Sequence, residues 1–207
     1  MGAERGEQDI AVPAWRELSR PVRHDMRHTL GLVAPHVRAG DSVLDVGCGC
    51  GYVTAAIAAT HPDTWGIDIV DARRAELANF ALYDGHTLAF PDRRFDVVVL
   101  AFVLHHVPNE IKPQLVAEAR RVCRRTIVVI EDTPRNAIDR YFNRRHGEKF
   151  RRSIGSTADY GFYSQPEWER FFATQGLAVT ASEPLSRFCR DWKQPYARSC
   201  FVLEVPA

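Results

Sequence analysis

Short apolar runs alternate with amphipathic segments through most of the chain. Five segments predict strands, at "DSVLDV", "TWGIDI", "NFALYDG", "RFDVVVLAF" and "TIVVIED". The unbroken apolar runs of the last two are typical of strands covered on both faces. Apolar residues at helical spacing predict helices between them, at "YVTAAIAAT", "DARRAEL" and "NEIKPQLVAEARRV". Strands that alternate with helices in this way indicate an α/β fold, in which a doubly wound, mostly parallel sheet carries helices on both faces.

The flanking segments complete a single domain, as the length of 207 residues suggests. Residues 12–38 have a helical pattern that is interrupted at Pro21, Gly31 and Pro35. Residues 40–131 hold the strands and helices named above, and residues 133–165 are charged and aromatic with weak periodicity. Residues 166–207 predict a helix at "PEWERFFATQGL" and a closing pair of strands at "LAVTASEPL" and "SCFVLEV".

The first strand leads into a turn of three alternating glycines, "DVGCGCG", which runs from Asp45 to Gly51. Glycine permits positive φ angles and lets a ligand approach the backbone closely. In a doubly wound sheet, ligands bind at the carboxyl ends of the strands, where this turn lies. The dinucleotide pattern G-x-G-x-x-G would need its third glycine at position 52, and Tyr52 therefore argues against a nicotinamide oxidoreductase.

Three segments in the same order resemble the motifs of the class I S-adenosylmethionine-dependent methyltransferases, of the small-molecule, methyltransferase-11-like type. They are "DVGCGCG", "WGIDIVDA" and "LYDGHTLAFPDRRFDVVVLAFVLHHVP". The resemblance implies a Rossmann-like sheet of seven strands with an antiparallel last strand. It also implies S-adenosylmethionine as the cofactor, which leaves the reaction as S-adenosylhomocysteine.

The resemblance assigns cofactor contacts to several strand ends. Asp68, at 68 − 49 = 19 residues beyond Gly49, would accept the ribose hydroxyls, with helix capping as its alternative. Asp84 and the Gly85 amide would meet the adenine, unless this dipeptide is only a turn. Asp45 either orders the glycine loop or reaches the methionine ammonium, for which the Ala101 carbonyl is a second candidate. The predicted cofactor contacts are Asp45, Gly47, Cys48, Gly49, Gly51, Asp68, Ile69, Asp84, Gly85, Ala101 and Phe102.

Two histidines and two carboxylates follow the fourth and fifth strands. In the family that this chain resembles, the first histidine of such a pair faces the acceptor, so His105 is the predicted catalytic base. A helix-capping or solvent-facing histidine is the alternative, and His106 is expected either beside the acceptor or packed inward. Glu131 and Asp132 would hold a cationic or hydroxylated acceptor, or else be solvated carboxylates at the strand end.

Residues 133–165 occupy the position of the family's variable acceptor lid. Tyr141, Tyr160 and Tyr163 are the predicted acceptor contacts in this lid. Its arginines either bind an anionic acceptor or form a solvated helix face; they include Arg144, Arg145, Arg151 and Arg152. A second aromatic and basic cluster, "RFCRDWKQPYARS", closes the pocket or caps the late strands.

Composition narrows the classes of partner. A formal net charge of +1 gives no sign of a nucleic-acid or membrane binder, and no apolar run approaches the ~20 residues of a membrane span. The polar start "MGAERGEQDI" lacks the apolar core of a signal peptide, so we expect a cytoplasmic protein, monomeric or homodimeric. Five cysteines without a C-x-x-C pair predict free buried thiols and no metal site.

These features predict an enzyme that moves a methyl group to a small-molecule acceptor by in-line displacement, at an oxygen, nitrogen or carbon centre. An RNA methyltransferase that uses the arginines as a phosphate track is an alternative. The place of the N/D-P-P-Y tetrapeptide of many base-methylating relatives reads "AFVL" here, which argues against it. A further alternative is a protein of this fold that binds the cofactor without transferring a methyl group.

Overall fold

A computed structural model of the chain describes residues 18–153, 160–186 and 196–206. Within these ranges, seven strands form one sheet in the order β3-β2-β1-β4-β5-β7-β6, and β7 runs antiparallel to both of its neighbours. The strands are β1 Val43–Val46, β2 Thr64–Asp68, β3 Phe80–Leu82, β4 Phe95–Ala101, β5 Cys123–Asp132, β6 Ala178–Leu185 and β7 Arg198–Glu204. The predicted seven-stranded sheet with an antiparallel last strand is confirmed.

Helices cover both faces of the sheet, as predicted. They are α1 Arg20–Val33, α2 Tyr52–Ala58, α3 Lys112–Val122, α4 Ala137–Ser153 and α5 Gln165–Thr174. Val33 of α1 and Ile57 of α2 pack with one set of sheet residues, whereas Leu115 of α3 and Trp168 of α5 pack with the other. Within the described ranges, every helix is too short or too polar to traverse a lipid bilayer.

The central strand β4 shows why unbroken apolar runs form the strands of this sheet. Its side chains alternate between the two cores: Val97 and Val99 point to the α1/α2 side, and Val98 and Leu100 to the α3/α5 side. All four side chains are buried. Because both faces of the strand exclude water, an alternation of apolar and polar residues would leave polar groups buried.

The predicted helix at "DARRAEL" is absent, and residues 69–79 form bends and irregular backbone. The backbone N–H groups of Arg74 and Ala75 donate to the carbonyl of Cys50 in the glycine turn, at 2.9 and 3.2 Å. The Asp71 carboxylate accepts two hydrogen bonds from the Arg73 guanidinium, both at 2.8 Å. Hydrogen bonds to a neighbouring loop therefore replace the helical pattern in this segment.

Two further boundaries differ from the sequence prediction. Gly31 does not interrupt the first helix, because α1 continues to Val33, and a Cβ atom at Gly31 would meet nothing within 4 Å. Pro21 lies in the first turn of α1, and Pro35 lies in a short 3-10 turn that follows the helix. Residues 12–17 of the predicted helical region lie outside the described residues.

The weakly periodic segment 133–165 contains the longest helix of the described chain, α4. Among the α4 side chains that the structure describes, the buried residues are Asp139, Asn143 and Gly147, spaced four residues apart. Because these inward positions carry polar or minimal side chains, the apolar periodicity that identifies a helix is missing from the sequence.

Free thiols occur both in the core and on the surface. Cys48, Cys123 and Cys200 are buried, as predicted, but Cys50 in the glycine turn is exposed. Cys189 and most of the second aromatic and basic cluster, residues 187–195, lie outside the described residues.

Candidate active site

The glycine turn between β1 and α2 adopts backbone angles that suit glycine alone. Gly47, Gly49 and Gly51 have φ angles of +73°, +53° and +78°. A Cβ atom at Gly47 would lie 2.6 Å from Cγ2 of Val103, whereas one at Gly49 would meet nothing within 4 Å. The turn thus packs tightly against the end of β4 on one side and presents bare backbone to open space on the other, as a cofactor cradle requires.

Asp68, at the carboxyl end of β2, fixes this turn. Its Oδ2 atom accepts a hydrogen bond from the Gly49 N–H at 2.7 Å, and its Oδ1 atom accepts one from the Ile69 N–H at 2.8 Å. A carboxylate has about four acceptor positions, so these two close bonds leave room for hydroxyl donors. The residues therefore fit a ribose-bearing cofactor. The ribose contact of Asp68 and the cofactor contact of Ile69 remain predictions.

Asp45 lies beneath the turn and is 3% exposed. Burial, with a smaller effect from the nearby charge of Asp68, raises the pKa of its carboxyl to about 7, although a hydrogen bond from Thr54 acts to lower it. The Thr54 hydroxyl of α2 donates to Oδ2 of Asp45 at 2.6 Å. Of the two roles left open by the sequence, this contact supports the ordering of the glycine loop.

Asp84 and Gly85 form a turn after β3. The Asp84 Oδ1 atom accepts hydrogen bonds from the N–H groups of His86 and Thr87 at 2.9 and 2.7 Å, and Gly85 has a φ angle of +92°. These backbone hydrogen bonds lower the pKa of the Asp84 carboxyl. The arrangement supports the simpler turn interpretation, and the adenine contacts of this pair remain predictions.

Backbone strain marks the end of β4, next to Ala101. Phe102 has a φ angle of +62°, which is unfavourable for a residue with a side chain, and its N–H donates to the Ile130 carbonyl at 2.7 Å. Strained residues of this kind cluster at functional sites. Two expected cofactor contacts, Ala101 and Phe102, therefore lie at a position whose conformation the sheet enforces.

His105 forms a buried pair with Glu131 just beyond this point. His105 lies in a short 3-10 turn, Leu104–His106, and its Nδ1 atom is 2.5 Å from Oε2 of Glu131 on β5. The other oxygen of Glu131 accepts the N–H groups of Val103 and Leu104 at 3.1 and 2.6 Å. One carboxylate therefore fixes both the backbone of the turn and the orientation of the imidazole.

The electrostatics of this pair suit a proton acceptor. Burial lowers the pKa of His105, but the charge of Glu131 and its hydrogen bond outweigh that effect, so the pKa lies above its ordinary value. An ionised carboxylate can only accept hydrogen bonds, so we assign the proton to Nδ1. Nε2 is then the imidazole atom that is able to take a proton.

The structure corrects the sequence interpretation of Glu131 and Asp132. Glu131 is fully buried and both of its oxygens bind partners within the chain. Asp132 is buried as well, and its Oδ1 atom accepts a hydrogen bond from Nε of Arg198 at 3.0 Å. Neither carboxylate is solvated, because each is buried against a partner on a neighbouring element that the sequence did not indicate. The contacts of Glu131 and Asp132 with an acceptor remain predictions.

Sequence reasoning missed two residues that shape the site. The Phe162 ring stacks on His105 with centroids 5.2 Å apart. Lys112 is fully buried at the start of α3, and its Nζ atom donates to Oδ1 of Asn109 and to the Gly161 carbonyl, at 2.5 and 3.1 Å. Lys112 thus anchors the segment that places Phe162 over the histidine. A lysine in a helical pattern normally faces solvent, so the sequence carries no signal for this role.

The remaining predicted acceptor residues are spread over three environments. Tyr141 is 54% exposed on the outer face of α4. Tyr163 packs against Trp168 with ring centroids 4.7 Å apart. Tyr160 lines a cavity beside α4, and the His106 ring lies against His105, with centroids 4.0 Å apart. The structure therefore brings Tyr160 and His106 to the region around His105 and the cavity, whereas Tyr141 is exposed and the Tyr163 ring packs on Trp168.

Comparisons with known proteins show the family of the chain. The family described as "Methyltransferase domain" matches residues 16–182. An uncharacterized methyltransferase of Bacillus pumilus is 33% identical over 85 residues, which cover 38% of this chain and 40% of the relative. A demethylmenaquinone methyltransferase of Tropheryma whipplei is 37% identical over 82 residues, or 35% of this chain and 34% of the relative. The chain spans less than half the length of these curated relatives.

A solved structure supports the fold over nearly the whole chain. Magnesium protoporphyrin IX methyltransferase from Synechocystis, with bound S-adenosylhomocysteine, superposes with a TM-score of 0.63 at 17% identity, covering 90% of this chain and 86% of that chain. The family match extends over most of the sequence and includes the glycine turn, Asp68 and His105. The chain therefore belongs to the S-adenosylmethionine-dependent class I methyltransferases.

Proposed function

We propose that this protein transfers a methyl group from S-adenosylmethionine to a small-molecule acceptor that loses a proton in the reaction. The single observation that carries the proposal is the adjacency of the cofactor turn and the histidine turn. Val103 directly precedes Leu104–His106, and its side chain is the one that a Cβ atom at Gly47 would strike. The group expected on the glycine turn and the base at His105 therefore belong to one site.

Each part of the site has a separate task. When bound, S-adenosylmethionine supplies a methyl group that is activated on a sulfonium. The bare backbone from Gly47 to Gly51 and the Asp68 carboxylate hold and orient the cofactor. His105 accepts the acceptor's proton at Nε2, and Glu131 keeps the imidazole in the tautomer that allows this. Orientation of the two reactants contributes up to about 7–11 kcal/mol to the lowering of the barrier.

The acceptor class is narrowed only in part by the relatives. The Tropheryma relative is named for a demethylmenaquinone acceptor, and a quinol is one compound class that loses a proton on methylation. The test therefore incubates the protein with isotope-labelled S-adenosylmethionine and, in turn, with quinols, phenols, carboxylates and amines, and measures transfer of the label to each. Transfer to RNA, with an affinity that falls steeply as salt is added, would favour the RNA alternative.

The decisive variant is His105→Gln. We expect its turnover to fall by about 10²–10⁴-fold, while its affinity for S-adenosylhomocysteine stays within about twofold of the unaltered protein. His61→Gln is the matched control, because His61 precedes β2 and so lies near the amino ends of the parallel strands, whereas His105 follows the carboxyl end of β4. Tight cofactor binding without transfer to any acceptor would contradict the enzymatic proposal, and an unchanged rate in His105→Gln would remove His105 from the mechanism.

A further inference from the structure

A cavity of about 400 Å³ lies between α4 and the segment 160–162. Arg140, Arg144 and Glu148 line it from the helix, and Tyr160 and Phe162 line it from the other side. Its volume falls within the roughly 300–1,000 Å³ of small-molecule sites. The cavity thus combines two cationic side chains with aromatic walls.

Neither cavity arginine lies in close contact with a carboxylate of the described residues. Arg140 approaches Glu167 only at 4.0 Å, and within the described parts of the chain Arg144 forms no ion pair. By contrast, Arg94 and Arg121 lie 2.7 Å from their carboxylate partners, Asp63 and Asp92.

Among the residues that the structure describes, Glu148 is the carboxylate of the cavity lining, and it does not cancel the charge of the two arginines. Glu148 lies 4.0 Å from Arg152 on the same helix, so its charge is shared with a guanidinium outside the cavity. Two guanidiniums that face a common space with one shared carboxylate leave a net attraction for an anion.

The cavity shares a wall with the catalytic pair. Phe162 lines the cavity and also stacks on His105 at 5.2 Å between ring centroids. Gly147 makes this arrangement possible, because a Cβ atom there would lie 2.8 Å from Cε2 of Phe162. Since Gly147 lies inside α4, the helix that carries the arginines is held against the ring that covers the histidine.

We propose that this cavity binds an anionic group of the methyl acceptor, a carboxylate or a phosphate, through Arg140 and Arg144. The planar fork of arginine forms paired hydrogen bonds with both of these groups. Tyr160 and Phe162 offer ring faces to a planar part of the same molecule. The identification of the ligand as the acceptor rests on the proposed function, whereas anion binding itself does not.

The test uses benzoate and phenyl phosphate as anionic probes and benzamide as a neutral probe of similar shape. Each probe is titrated by calorimetry into the full chain saturated with S-adenosylhomocysteine. We expect at least one anion to bind about tenfold or more tightly than benzamide, and Arg144→Gln to weaken it by about tenfold or more. The anion that binds more tightly identifies the carboxylate or the phosphate as the natural group.

Arg145→Gln is the matched control. Arg145 is the next residue on α4, but its guanidinium donates to the Tyr141 hydroxyl at 3.0 Å instead of lining the cavity. We expect this variant to bind the anions as the unaltered protein does. Arg140→Gln, with thermal unfolding as the measure of folding, tests the other cavity arginine independently.

Equal binding of benzamide and the anions, or an equal loss in Arg144→Gln and Arg145→Gln, would overturn the anion site. If the protein methylates neutral acceptors at a rate that Arg144→Gln leaves unchanged, this inference would also be overturned, while the proposed function would stand. Anion binding that depends on Arg144 in a protein that transfers no methyl group would support the site and contradict the proposed function.

Discussion

The Nδ1 atom of His105 lies 2.5 Å from Oε2 of Glu131, although the two residues are 26 positions apart in the chain. Their pairing follows from the sheet, because β4 and β5 are parallel neighbours and their carboxyl ends coincide. The histidine turn follows β4, and the carboxylate lies at the end of β5. The pairing gives the site a base whose proton affinity and orientation are set by one buried acid.

The variant Glu131→Gln should disable this base without unfolding the turn. A glutamine amide placed opposite Nδ1 donates a hydrogen bond, which favours the tautomer with its proton on Nε2, so we expect turnover to fall by about 10²-fold or more. Because the pKa of His105 is raised above its usual value, the rate of the unaltered protein should increase with pH through a midpoint above that value.

In Glu131→Gln this midpoint of the pH–rate profile should move to lower pH, because the carboxylate charge is gone. Glu110→Gln serves as the control, since Glu110 is exposed on the loop before α3. Identical profiles for Glu131→Gln and the unaltered protein would show that the pair does not act in the reaction.

The variant Asp45→Asn should reduce the dependence of stability on pH. The folded-state pKa of Asp45 is raised to about 7, so the native state keeps a proton that the unfolded state loses near pH 4. Its contribution is therefore fully present below the unfolded pKa and is lost as pH rises through about 7. Asparagine has no such proton. The free energy of unfolding of Asp45→Asn, relative to that of the unaltered protein, should therefore increase by roughly 2–3 kcal/mol from pH 5 to pH 8.

Urea unfolding at pH 5 and pH 8 measures this difference. His105, whose pKa is also raised, adds a dependence of the same sign to both proteins and cancels in the comparison. Asp71→Asn is the control, because hydrogen bonds from Arg73 lower the pKa of Asp71 to about 2, below the range tested. A constant difference between Asp45→Asn and the unaltered protein would contradict the raised pKa.

The variant Asp68→Asn should weaken cofactor binding. Its carboxylate holds the Gly49 N–H at 2.7 Å and is the expected partner of the ribose, so we expect a loss of about 1–3 kcal/mol in affinity for S-adenosylhomocysteine. Calorimetry at fixed pH and salt gives the affinity. Asp71→Asn, three residues further along, should bind as the unaltered protein does, and an unchanged affinity in Asp68→Asn would refute the ribose assignment.

Two glycine-to-alanine variants should change stability in opposite directions. Gly47→Ala combines a φ angle of +73° with a contact of 2.6 Å to Val103, so we expect a loss of about 1–3 kcal/mol or more in the free energy of unfolding. Gly31→Ala lies inside α1 with open space around it, so we expect a gain of about 0.5–1 kcal/mol. Denaturant unfolding measures both, and equal effects would show that backbone geometry is not the deciding factor.

Local patterns predicted the parts of this protein whose determinants lie close together in sequence. The unbroken run of β4 indicated a strand covered on both sides, and the alternating glycines indicated a turn with positive φ angles. Local sequence patterns did not predict α4, whose buried residues include Asp139, Asn143 and Gly147. They also predicted a helix at residues 71–77, where hydrogen bonds to Cys50 outweigh helix propensity.

By itself, the sequence determined the sheet, the cofactor turn and the position of the histidine, because periodicity and glycine geometry act over a few residues. Only the tertiary structure decided what surrounds that histidine. Glu131 is buried against it, Phe162 covers it and Lys112 anchors the covering segment. These contacts join residues from different elements, so they depend on which strands are neighbours and on how closely α4 approaches, which no local pattern records.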